Sequence, residues 1–160
     1  MDLKDSNTKI NLMRAFAGES QARNRYTIAG EAAKRQGMHI IKDLFTYTAN
    51  QEKAHAEVFY RALKSCNSDN INIDGGYPVS YYDDVAKLLR AAEHGEFQEY
   101  DDVYPNFAKV AKEEGFIAIS NIFNNIAEIE KKHGERFGKY ADMIEKDTLY
   151  NREEETIWMC

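Results

Sequence analysis

The sequence predicts an all-α protein: four long amphipathic helices packed as one bundle, joined by a short, a long and a short connection. Three observations carry this. Apolar residues recur at helical spacing through four long stretches. Proline occurs only at positions 78 and 105, and glycine is sparse outside turns. The chain has 160 residues, enough for one domain with a real core.

Helix 1 is expected from about Asp5 or Ser6 to Gln36, with Asp5, Ser6 or Asn7 as N-cap. Its inward stripe reads Leu12, Phe16, Glu19, Arg23, Tyr26 and Gly30. Gly37 then breaks the helix as a C-cap glycine does. Helix 2 follows at once and runs to about Lys64 or Cys66, with a stripe of Ile41, Leu44, Phe45, Thr48, Glu52, His55, Phe59 and Leu63. So short a connection makes helices 1 and 2 antiparallel neighbours. Asn67 to Ser80 is rich in Asn, Asp and Gly and reads as a long crossover. Helix 3 is expected from near Tyr82 or Asp83 to Glu114, striped by Val85, Leu88, Leu89, Ala92, Glu96, Glu99, Val103, Phe107 and Val110. Pro105 inside it should remove a backbone hydrogen bond and bend it. Gly115 ends helix 3, and helix 4 runs to about Lys146 along Ile119, Ile122, Phe123, Ile126, Glu130, His133, Phe137 and Ile144.

Composition excludes several classes of function. The net charge is −6, spread along the chain without a basic stripe, which argues against nucleic acid. No apolar run approaches membrane-spanning length, and the N-terminus lacks a signal-peptide core. Two cysteines, Cys66 and Cys160, make no disulfide framework, so a cytoplasmic location is expected.

The polar residues inside the apolar stripes carry the chemistry. Glu52 and His55 lie one turn apart on one face, as do Glu130 and His133. The two halves of the chain superpose by spacing. Tyr26 to Gly37 is eleven residues, Gly37 to Glu52 fifteen and Glu52 to His55 three; Tyr104, Gly115, Glu130 and His133 repeat those intervals. One interval differs: Glu19 to Tyr26 is seven, but Glu96 to Tyr104 is eight. The repeat gathers Glu19, Glu52, Glu96 and Glu130 at mid-bundle with His55 and His133 beside them. Four carboxylates and two imidazoles in a dry core need a counter-charge. One Glu from each of two helices, plus Glu-x-x-His from each of the other two, is the di-iron and di-manganese pattern of bundles with this single-crossover, ferritin-like connectivity. Mixed oxygen and nitrogen donors suit iron or manganese.

The eight-residue interval has its own consequence. Seven residues nearly close two turns, and eight overshoot by about 80°. A π-bulge near Glu96 to Tyr104 would absorb the extra residue, and such bulges gather at functional sites. Glu99 and Glu93 each lie one turn from Glu96, and spacing does not rank them as a seventh ligand.

These residues resemble the rubrerythrin family over essentially the whole chain. The resemblance rests on Ala17-Gly18-Glu19-Ser20-Gln21-Ala22-Arg23-Asn24-Arg25-Tyr26, Glu52-Lys53-Ala54-His55, Glu96-Phe97-Gln98-Glu99-Tyr100 with Tyr104-Pro105, Glu113-Glu114-Gly115, and Glu130 with His133. It implies a non-haem di-iron peroxidase of oxidative-stress defence that reduces hydrogen peroxide to water. Two iron ions are implied, oxo-bridged when oxidised. Glu52 and Glu130 would bridge them, Glu19 and Glu99 would serve one, and Glu96 and His133 the other. On reduction the first iron would exchange Glu99 for His55, so the resemblance ranks Glu99 above Glu93. Tyr26 and Tyr104 match tyrosines that hydrogen-bond near the site, and with His55 and Glu99 they are the expected catalytic residues. A homodimer or larger homo-oligomer is also implied.

The chain departs from the family pattern at its end. Members typically continue into a rubredoxin domain whose first knuckle reads Trp-x-Cys-x-x-Cys, whereas here the sequence stops at Trp158-Met159-Cys160. The expected division is therefore a bundle over 1–147 and a linker tail over 148–160, the end being either a cut at a domain boundary, the favoured reading, or that of a member lacking its electron-transfer domain. No rubredoxin iron is expected in this chain. Electrons would come, NAD(P)H-linked, from a separate rubredoxin or rubredoxin reductase-type donor.

Other residues have plainer readings. His39 and His94 lack a Glu three residues before them and read as surface histidines, Arg23 as the partner of a buried carboxylate, and Cys66 as a buried small hydrophobe. A ferritin-like ferroxidase or iron-storage protein shares the bundle and most ligands, but Glu99 and the Trp-x-Cys tail favour the peroxidase. A manganese catalase would differ in its metal.

Overall fold

The computed structural model describes residues 1–151, and the tail motif Trp158-Met159-Cys160 lies outside the described residues. Within them the fold is helical, with no strand. Five α-helices follow in order: α1 (Asn7–Arg35), α2 (His39–Ala62), α3 (Val85–Gln98), α4 (Tyr104–Glu113) and α5 (Ile117–Glu145). A π turn, Glu99–Val103, joins α3 to α4, so the expected third helix is one rod built in three pieces. The result is the four-helix bundle with a long crossover that the sequence predicts.

Local chemistry sets the boundaries. Ser6 caps α1, its Oγ accepting from Lys9 N at 3.1 Å. Asp84 caps α3 by accepting from the backbone of Ala86 and Lys87, which starts that helix at Val85 rather than Tyr82. Gly37 and Gly115 adopt φ of +75° and +90°, the left-handed conformation that glycine alone takes without strain. Each closes the same helix C-cap, with Met38 N bonding Ala33 O and Phe116 N bonding Ala111 O.

The two-fold repeat extends to the core. Tyr26, Phe45 and Phe137 pack with ring centroids 5.1 to 5.9 Å apart. Their counterparts Tyr104, Phe123 and Phe59 pack at 5.2 to 6.1 Å. One trio sits on each side of the mid-bundle carboxylates, and all six residues are buried. The helix ends are tied in the same two-fold sense. Glu114, at the end of α4, accepts from Asn7 and Thr8 at the start of α1. Gln36, at the end of α1, donates to Asp83 O just before α3, at 2.7 Å.

Two expectations change. Arg23 is exposed, not inward. The buried face of α1 runs through Glu19, Ala22, Tyr26, Ala29 and Ala33, and the half-buried Arg25 instead lies over the Tyr26 ring. The stripe of the third rod also changes phase. Up to Glu96 it is as expected, but beyond the π turn the buried residues are Tyr104, Ala108 and Ala111, not Val103, Phe107 and Val110. Pro105 falls in the first turn of α4, just past the π turn, where the normal helical bond pattern is already interrupted.

Residues 67–84 form the crossover. Arg14 on α1 pins it through an ion pair to Asp74, and Tyr77 lays its ring near Gly18 with its hydroxyl 3.4 Å from Arg14 O. His39 and His94 are exposed and Cys66 is buried, as expected. No helix among the described residues is long and apolar enough to cross a membrane.

Candidate metal centre

Four helical rods each place one carboxylate at mid-bundle: Glu19 from α1, Glu52 from α2, Glu96 from α3 and Glu130 from α5. All four are at most 1 % exposed. His55 and His133, one turn beyond Glu52 and Glu130, bring their rings into a near-parallel pair with centroids 5.7 Å apart.

The donor atoms form two overlapping sets. Glu19, Glu52, His55 and Glu130 make one; Glu52, Glu96, Glu130 and His133 make the other. In each set the four donor atoms lie within 4.8 Å of one another. The shared carboxylates divide their oxygens between the sets. His55 Nδ1 lies 2.8 Å from Glu130 Oε1 and 3.3 Å from Glu52 Oε2. His133 Nδ1 lies 2.7 Å from Glu130 Oε2 and 3.1 Å from Glu52 Oε1. Glu52 and Glu130 are therefore placed to span two positions, while Glu19 and Glu96 each serve one.

The tyrosines cross between halves. Tyr26 donates its hydroxyl to Glu96, and Tyr104 donates to Glu19, so each tyrosine holds the terminal carboxylate of the other half. Each of those carboxylates keeps one oxygen, Oε2, for the centre. A further bond reaches one histidine only: His133 Nε2 lies 3.1 Å from Gln51 Oε1.

The electrostatics are those of a site short of positive charge. Burial, then the Glu130 and Glu52 charges, pushes the Glu19 carboxyl well above its usual range. Burial, then Glu52, raises Glu96 to about 8. Burial acts against the charged form of His55, but the Glu130 and Glu52 carboxylates beside it outweigh that and raise it to about 9. His133 is raised to about 12 by Glu130, Glu52 and Glu96 despite burial. Burial also opposes ionisation of Glu52, yet the two histidines hold it down at about 2.

Whether metal ions fit can be judged from the unsatisfied atoms. Eight buried side-chain atoms at the centre crowd one another but make no aligned hydrogen bond: Glu19 Oε2, both oxygens of Glu52 and of Glu130, Glu96 Oε2, and Nδ1 of both histidines. Buried polar atoms are nearly always satisfied. Eight such atoms converging on two points, all oxygen or imidazole nitrogen, fit a pair of divalent ions.

Six of the seven ligands named from sequence, Glu19, Glu52, His55, Glu96, Glu130 and His133, come together in these sets. Glu99 does not. It is the first residue of the π turn and lines an adjoining cavity of about 700 Å³ with Tyr104, Arg14, Gln21, Gln98 and Tyr77. Burial, then Glu96 and Glu130, raises its carboxyl well above the usual range. Glu93 points elsewhere, to an ion pair with Arg90 at 2.9 Å. Sequence reasoning missed Gln51. Its neighbour Glu52 is on the inward stripe, but one residue on turns the side chain by about 100°, and only the seam between α2 and α5 brings it to His133.

The comparisons with known proteins point to one family. A family model described as Rubrerythrin matches residues 11–141. Rubrerythrin-1 of Clostridium acetobutylicum is 40% identical over 159 residues, covering 99% of this chain and 82% of that protein. Rubrerythrin of Nitratidesulfovibrio vulgaris is 40% identical over 158 residues, covering 99% of this chain and 81% of that protein. Among solved structures, fully reduced, all-ferrous nigerythrin aligns with a TM-score of 0.76 at 30% identity, covering 88% of this chain and 68% of that one. Symerythrin from Cyanophora paradoxa, at 20% identity and a TM-score of 0.67 over 81% of this chain and 82% of its own, shares the fold. With its carboxylate and histidine sets in place and these matches spanning nearly its whole length, the chain belongs to the rubrerythrin family.

Proposed function

We propose that this protein is a non-haem di-iron peroxidase that reduces hydrogen peroxide to water with electrons from a rubredoxin-type donor. The observation that carries the reading is the convergence of eight buried side-chain atoms without an aligned hydrogen bond on two adjoining positions that share Glu52 and Glu130. Family membership supports a di-iron oxidoreductase.

Glu19 and Glu96 would hold one iron each, with His55 beside Glu19 and His133 beside Glu96. Two irons bound there would supply two electrons and Lewis acidity toward an O–O bond. The chain's own residues do the rest. Tyr26 and Tyr104 are kept protonated well above the usual tyrosine range, by burial first and then by Glu96 and Glu19 respectively. They therefore stay protonated and hold the terminal carboxylates in place through their hydroxyl hydrogen bonds. His55 stands in the first set while Glu99 lines the cavity, an arrangement that supports their being alternative donors to one position. The cavity is lined by Glu99 and by Tyr104, which holds Glu19, and this supports entry of a small, uncharged substrate from that side.

The test is anaerobic loading with two ferrous ions per chain, followed by parallel mixing with hydrogen peroxide and with dioxygen while diferric absorbance is followed. Rapid oxidation by one peroxide per site, with a slow dioxygen reaction, is expected. Dioxygen consumption that continues as further ferrous iron is added would replace the reading with a ferritin-like ferroxidase. Failure to bind two ions would overturn both.

A further inference from the structure

The repeat makes the centre nearly two-fold, and the departures from two-fold symmetry are therefore informative. The offset between the halves is 78 residues, from Gly37, Glu52 and His55 to Gly115, Glu130 and His133. It pairs Tyr26 with Tyr104, and their hydroxyls do the same thing on the two sides. It pairs Gln51 with Ile129. Here the symmetry fails. Gln51 offers its Oε1 to His133 Nε2 at 3.1 Å, whereas Ile129 has no polar atom to offer His55.

The same seam is unequal one turn further on. Tyr47, one turn before Gln51 on α2, is covered by the Arg136 guanidinium, one turn beyond His133 on α5, at 5.1 Å from the ring centroid. The counterparts of Tyr47 and Arg136 are Asn125 and Val58, which cannot make a cation–π contact. On one side of the dyad the two helices are therefore joined by two polar contacts in successive turns. On the other, Ile129 and Val58 are left 37% and 39% exposed. His55 is itself 7% exposed, against 1% for His133. Among the described residues no hydrogen bond reaches the Nε2 of His55.

We propose that Gln51 is a positioning residue that fixes His133 as a permanent Nδ1 donor, and that Ile129, in its place on the other side, leaves His55 untethered and releasable. This rests on the di-metal reading above. The physical basis is the geometry of imidazole. His133 Nδ1 faces three carboxylates of the centre, the third being Glu96 at 3.4 Å, so the proton of the neutral ring belongs on Nε2. An acceptor on Nε2–H fixes the tautomer and the ring plane and makes Nδ1 a better donor. Without an acceptor a ring keeps its ligand nitrogen but can rotate away at lower cost. One imidazole is thereby built to stay and the other to leave, although the two Glu-x-x-His units that supply them share one pattern.

The test uses the full chain loaded with two zinc ions, so that it does not depend on peroxide turnover. Ring nitrogen and ring N–H signals of the two histidines are followed by ¹⁵N-resolved NMR, and zinc affinity is measured by competition with a chelator. Wild-type protein should show a slowly exchanging Nε2–H for His133 and a fast one for His55. In Gln51→Leu the His133 N–H should exchange as fast as that of His55, and the tighter-binding step, which belongs to the His133 side, should lose about 10–100-fold in affinity. Gln51→Glu restores an acceptor and should restore slow exchange, which a role in packing alone would not do. Ile129→Gln, at a partly exposed position, should slow exchange at His55 and leave His133 unchanged. The proposal is overturned if Gln51→Leu leaves His133 exchange and zinc affinity unchanged, if Gln51→Glu fails to restore slow exchange, or if Ile129→Gln leaves His55 unaltered. Loss of peroxidase activity with these zinc and NMR results intact would instead count against the peroxidase reading.

Discussion

Replacing Glu114 with Ala should destabilise the metal-free protein by about 2–3 kcal/mol, although the residue lies far from the centre in sequence and does not face it. The Glu114 carboxylate accepts four hydrogen bonds: from Asn7 N at 2.9 Å, Asn7 Nδ2 at 3.1 Å, Thr8 N at 2.8 Å and Thr8 Oγ1 at 2.6 Å. Two of these donors are free N–H groups of the first turn of α1, where a negative charge also meets the positive end of the helix dipole. Loss of such a cap costs about 1 kcal/mol. Thr8 is fully buried, so its hydroxyl loses its acceptor with no water to replace it, a further cost of about 1–2 kcal/mol. The assay is urea denaturation of metal-free wild type, Glu114→Ala, Glu114→Gln and the exposed control Glu113→Ala. With a slope of about 2 kcal/mol per molar, the Glu114→Ala midpoint should fall by about 1 M, and Glu113→Ala should stay near wild type.

The pH dependence supplies a second arm. The backbone and side-chain donors of Thr8 and Asn7 outweigh partial burial and hold the Glu114 carboxyl below its usual range. A carboxylate with a depressed folded pKa contributes its full stability above the unfolded value, near pH 4.5, and loses it as pH falls through the folded value. The gap between wild type and Glu114→Gln should therefore be constant near neutrality and close below about pH 4. A Glu114→Ala midpoint equal to that of Glu113→Ala, or a Gln gap unchanged under acid, would refute the reasoning.

Three further outcomes are expected. Glu96→Gln should raise the stability of the metal-free protein at pH 8 and above by about 1–4 kcal/mol, because it removes a buried carboxylate that resists ionisation. The gain should shrink as pH falls, and the same variant should lose the thermal stabilisation that added metal gives wild type, both read from melting curves. Tyr26→Phe and Tyr104→Phe should each cost about 1 kcal/mol, and equally, because their bonds are two-fold equivalents; denaturation midpoints differing by more than about 1 kcal/mol would contradict that. Gly138→Ala should change stability by less than about 1 kcal/mol although its new Cβ would land on the Glu93 carboxylate, because that flexible, part-exposed side chain can swing aside and loosen its pair with Arg90; Gly95→Ala, with nothing near its Cβ, should be neutral or slightly stabilising in the same assay.

Much of the molecule was legible before its structure because its chemistry is periodic. Apolar stripes with a carboxylate and a histidine in register announce both the bundle and the centre. Two glycines at matching distances announce its hairpins, and a single surplus residue between Glu96 and Tyr104 announces the π turn observed at Glu99–Val103. What was not legible depends on angles that a stripe does not fix. Arg23 and Arg25 differ by two positions on α1, so they leave the helix on different sides: Arg23 lies beside Lys53 and Glu57 of α2, and Arg25 lies over Tyr26 on the side of the crossover. The phase of α4 depends on how the π turn closes, so Val103 and Phe107 read as inward when Tyr104 and Ala108 are. Gln51 finds His133 across a helix seam that leaves no local signature. Glu99 sits on the cavity wall because it opens the π turn, where neither flanking helix dictates its direction.

That π turn also sets how two helices share one axis. Glu99 turns its carboxyl into the interior while the rest of its residue surface stays partly open, and α3 is anchored before the turn through Leu88, Leu89, Ala92 and Glu96, and α4 after it through Tyr104, Ala108 and Ala111. The turn acts as a phase coupling between two rods, letting both present their inner faces to the same axis. The surplus residue in its wider hydrogen-bonded ring turns Tyr104 back onto the bundle axis, so its hydroxyl meets Glu19 just as Tyr26 meets Glu96. One inserted residue thus sets the rotation of a whole helix and keeps the two halves of the centre alike.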